Sequence, residues 1–151
     1  MKVLFVCTGN TCRSCMAEVI FNKKCDIQNV EAISAGLSIV SNSMISEHSS
    51  KLVLDNLKID IRGREAVQLT ENLMSGVDLI LTMTDRMVDL IKMHFPENKN
   101  KVFSLNSYVG IEGDVVDPFG GDMAIYKKTY EMLNNSINLL FAKLKEDMSI
   151  S

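Results

Sequence analysis

The sequence predicts an α/β fold: a four-stranded parallel sheet, doubly wound and Rossmann-like, with helices on both faces. Short aliphatic runs bounded by polar or glycine residues recur along the chain, and segments with helical spacing separate them in alternation. Those runs are apolar at nearly every position, which suits strands buried on both faces, as in parallel sheets. Alternating strands and helices imply right-handed crossovers.

The first strand is expected at 3–6, Val-Leu-Phe-Val, with Cys7 as its last residue. A helix over 15–24, starting near Ser14, groups Met16, Val19 and Ile20. The second strand is read at 30–34, and the helix 45–56 places Ile45, Leu52 and Val53 together. Thr70 and Gly76 bracket a short helical turn before a third strand at 77–81. Met87, Leu90 and Ile91 define a helix over 84–95, which Thr84 or Asp85 can cap and Pro96 stops. The fourth strand is expected at 102–105. A closing helix over about 123–146 carries a stripe of Ile125, Met132, Ile137, Leu140, Phe141 and Leu144, which reads as core packing. The last four or five residues read as frayed. Between the last strand and this helix runs NSYVGIEGDVVDPFGGD, 106–122, about seventeen residues and too long for an ordinary connection. Such loops often carry function.

A chain of 151 residues fits a single domain, 1–151, able to bury roughly 70% of its unfolded surface without a disulfide or metal staple. Its 46% hydrophobic and 23% charged residues describe an ordinary globular protein. A net charge of −3, with no basic block, gives no reason to expect nucleic-acid or anionic-membrane binding. The opening apolar run is too short for a signal-peptide core, and no stretch approaches the roughly 18 apolar residues of a membrane span. The expected location is the cytoplasm. In that reducing setting four cysteines, three of them within positions 7–15, read as catalytic, redox or metal-binding thiols before they read as disulfides.

Two readings compete for VLFVCTGNTCRSC, residues 3–15. Cys7, Cys12 and Cys15 have the spacing of an iron–sulfur loop, with Cys25 available as a fourth ligand, so an iron–sulfur or zinc-binding protein is the distant alternative. A helix over 15–24 opposes it, because at roughly 1.5 Å per residue Cys25 lies about 15 Å from Cys15 along the axis. The other reading joins Cys7 to Arg13. Thr8, Gly9, Asn10, Thr11 and Cys12 can curl between strand and helix so that backbone N–H groups form an anion nest at the positive helix end. Gly9 and Asn10 tolerate the left-handed backbone such a curl needs. Arg13 can grip two phosphate oxygens at once. A cysteine in that field is expected to ionise below its free pKa of about 8.5, giving a thiolate aimed at phosphorus. The bland reading makes Cys7 a small buried hydrophobe; the strand before it and the helix after it favour the nucleophile.

The segment VLFVCTGNTCRS closely resembles the signature of the low-molecular-weight protein tyrosine phosphatase family, and SAG at 34–36, LILTMT at 79–84 and DPFGG at 117–121 extend the resemblance. It implies Cys7 as nucleophile, Arg13 as the phosphate-binding and transition-state-stabilising group, and Asp117 as general acid. Without it, Asp114, Asp117 and Asp122 are equal candidates. Asn10, Ser14 and Ser34 match positions that shape the loop and help stabilise the thiolate. No metal or cofactor is implied. The resemblance further implies a reversible Cys7–Cys12 disulfide under oxidative stress, against which Cys12 reads simply as a packed loop residue.

Family members usually carry isoleucine at the position of Thr11 and DPY where this chain has Asp117-Pro118-Phe119. CTGNTCRS followed by DPFGG is similar to the bacterial protein-arginine phosphatase branch. A threonine hydroxyl offers a guanidinium N–H a partner and removes part of the aliphatic wall for a phenyl ring, while Phe119 can stack on a planar guanidinium. The implied substrate is phosphoarginine on proteins, with phosphotyrosine as the alternative and a monomer as the expected state. Three departures stand out: Cys15 replaces the usual proline, Arg62-Gly63-Arg64-Glu65-Ala66 lacks the usual buttressing histidine, and 84–95 lacks the cysteine pair of arsenate reductases. His48 and His94 read as surface residues.

Overall fold

The computed structural model describes residues 1–149. Four parallel strands, β1 (Lys2–Cys7), β2 (Glu31–Gly36), β3 (Leu79–Thr82) and β4 (Val102–Ser104), form one sheet in the order β2-β1-β3-β4. Six helices surround it: α1 (Arg13–Lys24), α2 (Glu47–Leu57), α3 (Glu71–Ser75), α4 (Asp85–His94), α5 (Leu105–Tyr108) and α6 (Met123–Ser149). The parallel α/β fold expected from the sequence is the one observed.

Strand β1 explains the two-layered core. Val3, Phe5 and Cys7 face the cluster built with α1, α2 and α6, while Leu4 and Val6 face one built with Met74, Ile80, Ile91 and Val102. The period of two sends alternate side chains to opposite faces, and both faces are covered. On the first face Phe21 stands edge-on to Phe5 at 5.9 Å between ring centroids and tilts against Phe141 at 4.9 Å, tying α1 to both sheet and α6. Each fully buried side chain of this size contributes about 1.5–3 kcal/mol.

Element ends differ from expectation where tertiary contacts decide them. Strand β2 extends to Gly36 because Gly36 pairs with Cys7. Thr84 caps α4 and Thr70 caps α3, each accepting a backbone N–H at 3.2 Å. Pro96 ends α4 yet opens a 3₁₀ helix, Pro96–Lys101, since its fixed φ suits a first helical position. The stretch read as loop begins with α5, packed through Leu105. In α6 the buried stripe is Tyr126, Tyr130, Leu133, Ile137, Leu140, Phe141 and Leu144; Ile125 is exposed and Met132 only half-buried, because Tyr126 turns inward beside the phosphate-loop segment. Helix α6 runs on through Ser149, so 147–149 are helical rather than frayed, and the expectation for 150 and 151 lies outside the described residues.

This topology fixes where a ligand can bind. From β1 the chain crosses to β2 on one side and returns to β3 on the other, opening a crevice at the carboxyl ends beside Cys7. Among the described residues no helix is long and apolar enough to cross a membrane.

Candidate active site

Residues 8–12 turn between β1 and α1 and are held from outside by the backbone. Leu37 donates to the Cys7 carbonyl at 2.9 Å, Ser38 to that of Thr8 at 3.0 Å and Ser46 to that of Thr11 at 3.0 Å. Asn10 takes the left-handed turn at φ 56°, whereas Gly9 does not use left-handed backbone at all. A short polar side chain tolerates that conformation, and here it is also the centre of a hydrogen-bond network. The loop sits so close to β2 that a Cβ on Gly36 would lie 2.8 Å from the Thr8 carbonyl oxygen and 3.0 Å from the Asn10 nitrogen.

Cys7 is 3% exposed, and its sulfur accepts the Asn10 backbone N–H at 3.3 Å and lies 2.8 Å from Ser14 Oγ. Asn10 Oδ1 accepts from Val67 N–H at 2.9 Å, so its Nδ2 donates to Ser14 Oγ at 2.8 Å and to Ser34 Oγ at 3.0 Å. Ser14 already accepts from the amide, which leaves its own hydrogen for the sulfur. That polarity suits a thiolate. Cys12, at the head of α1, makes no capping bond, so the first amides of the helix stay open to an anion.

Arg13 is 4% exposed; Nη1 donates to the Val115 carbonyl at 3.1 Å, and Nη2 lies 3.6 Å from Asp117 Oδ2. The three acidic candidates separate by this geometry. Asp114 accepts the N–H of Asp85 at the start of α4, and Asp122 that of Ile125 at the start of α6. Asp117 faces the arginine. Its Oδ1 also accepts the N–H of Phe119 at 3.1 Å, a local turn that leaves the Phe119 ring 83% exposed.

Cys7, Thr8, Gly9, Thr11, Cys12, Arg13, Asp117 and Phe119 line one cavity of about 570 Å³. Asn10, Ser14 and Ser34 lie behind it. Sequence reasoning missed two contributors. Tyr126 also lines the cavity, its hydroxyl 3.4 Å from the Cys12 sulfur, and burial followed by that neighbouring thiol pushes the phenol up to about 12. His48 is not simply a surface residue; its ring packs on Tyr126 at 4.9 Å, whereas His94 is exposed. The helical spacing that brings Tyr126 inward could have signalled it.

Arg64 is the second omission. It donates to Asn10 Oδ1 at 3.4 Å, Cys15 Sγ at 3.0 Å, Glu18 Oε1 at 3.0 Å and Ser34 Oγ at 2.9 Å. A buttress therefore does arise from 62–66, from a different residue type. Cys15 is fully buried, and burial pushes its thiol up to about 12 against the pull of Arg64. Cys25 lies at the opposite end of α1, and among the described residues no group of three or more His, Cys, Asp or Glu is disposed to hold a metal ion.

Comparison with known proteins identifies the family. Residues 2–150 match the family model for low molecular weight phosphotyrosine protein phosphatases. The chain is 39% identical to the protein-arginine-phosphatase of Bacillus subtilis (strain 168), over 97% of this chain and 99% of that one. It is equally 39% identical to the low molecular weight protein-tyrosine-phosphatase PtpB of Staphylococcus aureus, over 97% and 98%. A Cys→Ser variant of the YwlE arginine phosphatase with a phosphorylated active-site serine superposes with a TM-score of 0.91 at 38% identity, each chain covered in full. The chain belongs to the low molecular weight phosphotyrosine protein phosphatase family.

Proposed function

We propose that this chain is a protein-arginine phosphatase, acting as one domain and a single copy in the cytoplasm on phosphorylated proteins. The observation that carries it is the convergence of Cys7, Arg13 and Asp117 on one cavity whose rim holds Thr11 and Phe119. Similarity to proteins named arginine phosphatases supports it.

In the first step the Cys7 thiolate attacks phosphorus and the bond from phosphorus to the guanidino nitrogen breaks. Asp117 gives that nitrogen its proton, and a cysteinyl-phosphate forms. In the second, water attacks phosphorus, Asp117 takes the water proton, and inorganic phosphate leaves with the thiolate restored. Arg13 and the first amides of α1 carry the charge on the phosphoryl oxygens, the task a metal ion performs elsewhere. The phosphorylated serine of the YwlE variant supports a covalent step at this position. Ser14 and Asn10 keep the thiolate hydrogen-bonded between turnovers.

Hydrolysis of phosphoarginine against phosphotyrosine by one preparation, repeated with Thr11→Ile, tests the substrate. Phosphoarginine is expected to be preferred, and Thr11→Ile to shift preference toward phosphotyrosine; an unchanged ratio would sink the account of Thr11. The alternative, a tyrosine phosphatase, has in its favour the equal identity to PtpB. Cys12 is proposed to protect the nucleophile: peroxide converts the Cys7 thiolate to a sulfenic acid, the Cys12 thiol displaces water from it, and a reductant reopens the disulfide.

A further inference from the structure

Two departures from the family pattern, Arg64 and Cys15, meet in space: Arg64 Nη1 donates to Cys15 Sγ at 3.0 Å. Cys15 in turn donates to the Asn10 main-chain carbonyl at 2.7 Å. That carbonyl is turned back toward α1 by the left-handed Asn10, and a proline at position 15 would lack a side-chain hydrogen to give it. The same guanidinium reaches the other end of Asn10 through its side-chain oxygen at 3.4 Å. Asn10 is thus held from behind at its side chain and its main chain at once.

We propose that Arg64 and Cys15 form a coupled positioning pair that fixes Asn10, and through it aims the Ser14 hydroxyl at the Cys7 sulfur. The direction of each bond supports this. Ser34 gives its hydrogen to Glu18 at 2.8 Å, so it can only accept from Asn10 and Arg64. Glu18 and Arg64 form an ion pair at 3.0 Å with each side chain about one-fifth exposed. The Asn10 amide has no freedom to flip, because Val67 N–H and Arg64 both present hydrogens to its oxygen. A high thiol pKa at Cys15 keeps its hydrogen on the sulfur for the carbonyl. A guanidinium keeps its charge across the working pH range, whereas an imidazole does not.

The proposal rests on Cys7 as the reacting group but not on the choice of substrate, so an aryl phosphate serves as probe. Failure of the wild-type protein to hydrolyse both this probe and phosphoarginine would sink the phosphatase reading itself. With an active wild type, Arg64→Ala is expected to lower kcat/KM by about 10- to 100-fold, the scale of a small misplacement at the reacting centre. Arg64→His is expected to add an ionisation to the kcat/KM profile, with activity falling as pH rises through about 6.5. Cys15→Ser, which keeps a donor, is expected to stay near wild type while Cys15→Ala falls. The double variant Arg64→Ala with Cys15→Ala is expected to lose less than the product of the singles. An Arg64→His profile of wild-type shape, additive losses, equal activity of the two Cys15 variants, or a lowered Tm with unchanged kcat/KM would overturn the pair.

Discussion

The two loops that meet at the cavity are built in opposite ways. In the phosphate loop Cys7, Asn10, Arg13 and Ser14 are almost wholly buried, and backbone N–H groups of Leu37, Ser38, Ser46 and Val67 hold it. The acid loop is held by Val115 N–H to the Met83 carbonyl at 3.0 Å, by Thr129 to the Val116 carbonyl at 3.0 Å and by the buried Pro118. Between and beyond these points Asp117 is about half exposed and Phe119 is 83% exposed. In the proposed mechanism, charge stabilisation needs dipoles fixed beforehand, which suits the buried nucleophile side. Delivering a proton to a leaving group needs access, which suits the open acid side.

Breaking the buried side has the largest expected effect. Cys7→Ser should reduce turnover by about 10⁴-fold or more in a steady-state assay while phosphate binding persists. A variant that kept a tenth of the activity would end the nucleophile assignment. Asp117→Asn should cost about 10²- to 10⁴-fold with protein phosphoarginine; a loss below ten-fold would move the acid elsewhere.

Paired glycine substitutions sharpen the contrast. A Cβ on Gly36 meets backbone of the phosphate loop, whereas on Gly121 it lies 2.9 Å from the Pro118 carbonyl oxygen and 3.0 Å from Ile125. Gly36→Ala is therefore expected to cost about 1–3 kcal/mol in a denaturant titration and to lower kcat, since the loop cannot retreat. Gly121→Ala should act mainly on KM, because the exposed loop can shift. Equal effects would erase the distinction.

Thr11→Ile, at the rim, should change the phosphoarginine-to-phosphotyrosine ratio by about 10-fold, with stability nearly unmoved. The smallest effect concerns alkaline stability. Folding raises the Cys15 thiol from 9.0 to about 12, so the folded state keeps a proton that the unfolded chain releases. That contribution is complete below pH 9 and is lost as pH rises toward 12. Cys15→Ala should flatten the fall in Tm across that window; an unchanged slope would contradict the assignment.

The amino-acid sequence by itself determined the alternation of strands and helices, the place of Cys7 at a strand end and the loop closed by Arg13, because hydrophobic period and local turn chemistry act over a few residues. Only the tertiary structure decided which carboxylate faces Arg13, since Asp114 and Asp122 spend their oxygens on the starts of α4 and α6. The same holds for Tyr126 and Arg64, which reach the loop from 114 and 54 residues away from their partners Cys12 and Asn10. Such contacts follow from how helices and loops settle on the sheet, and no local pattern encodes them.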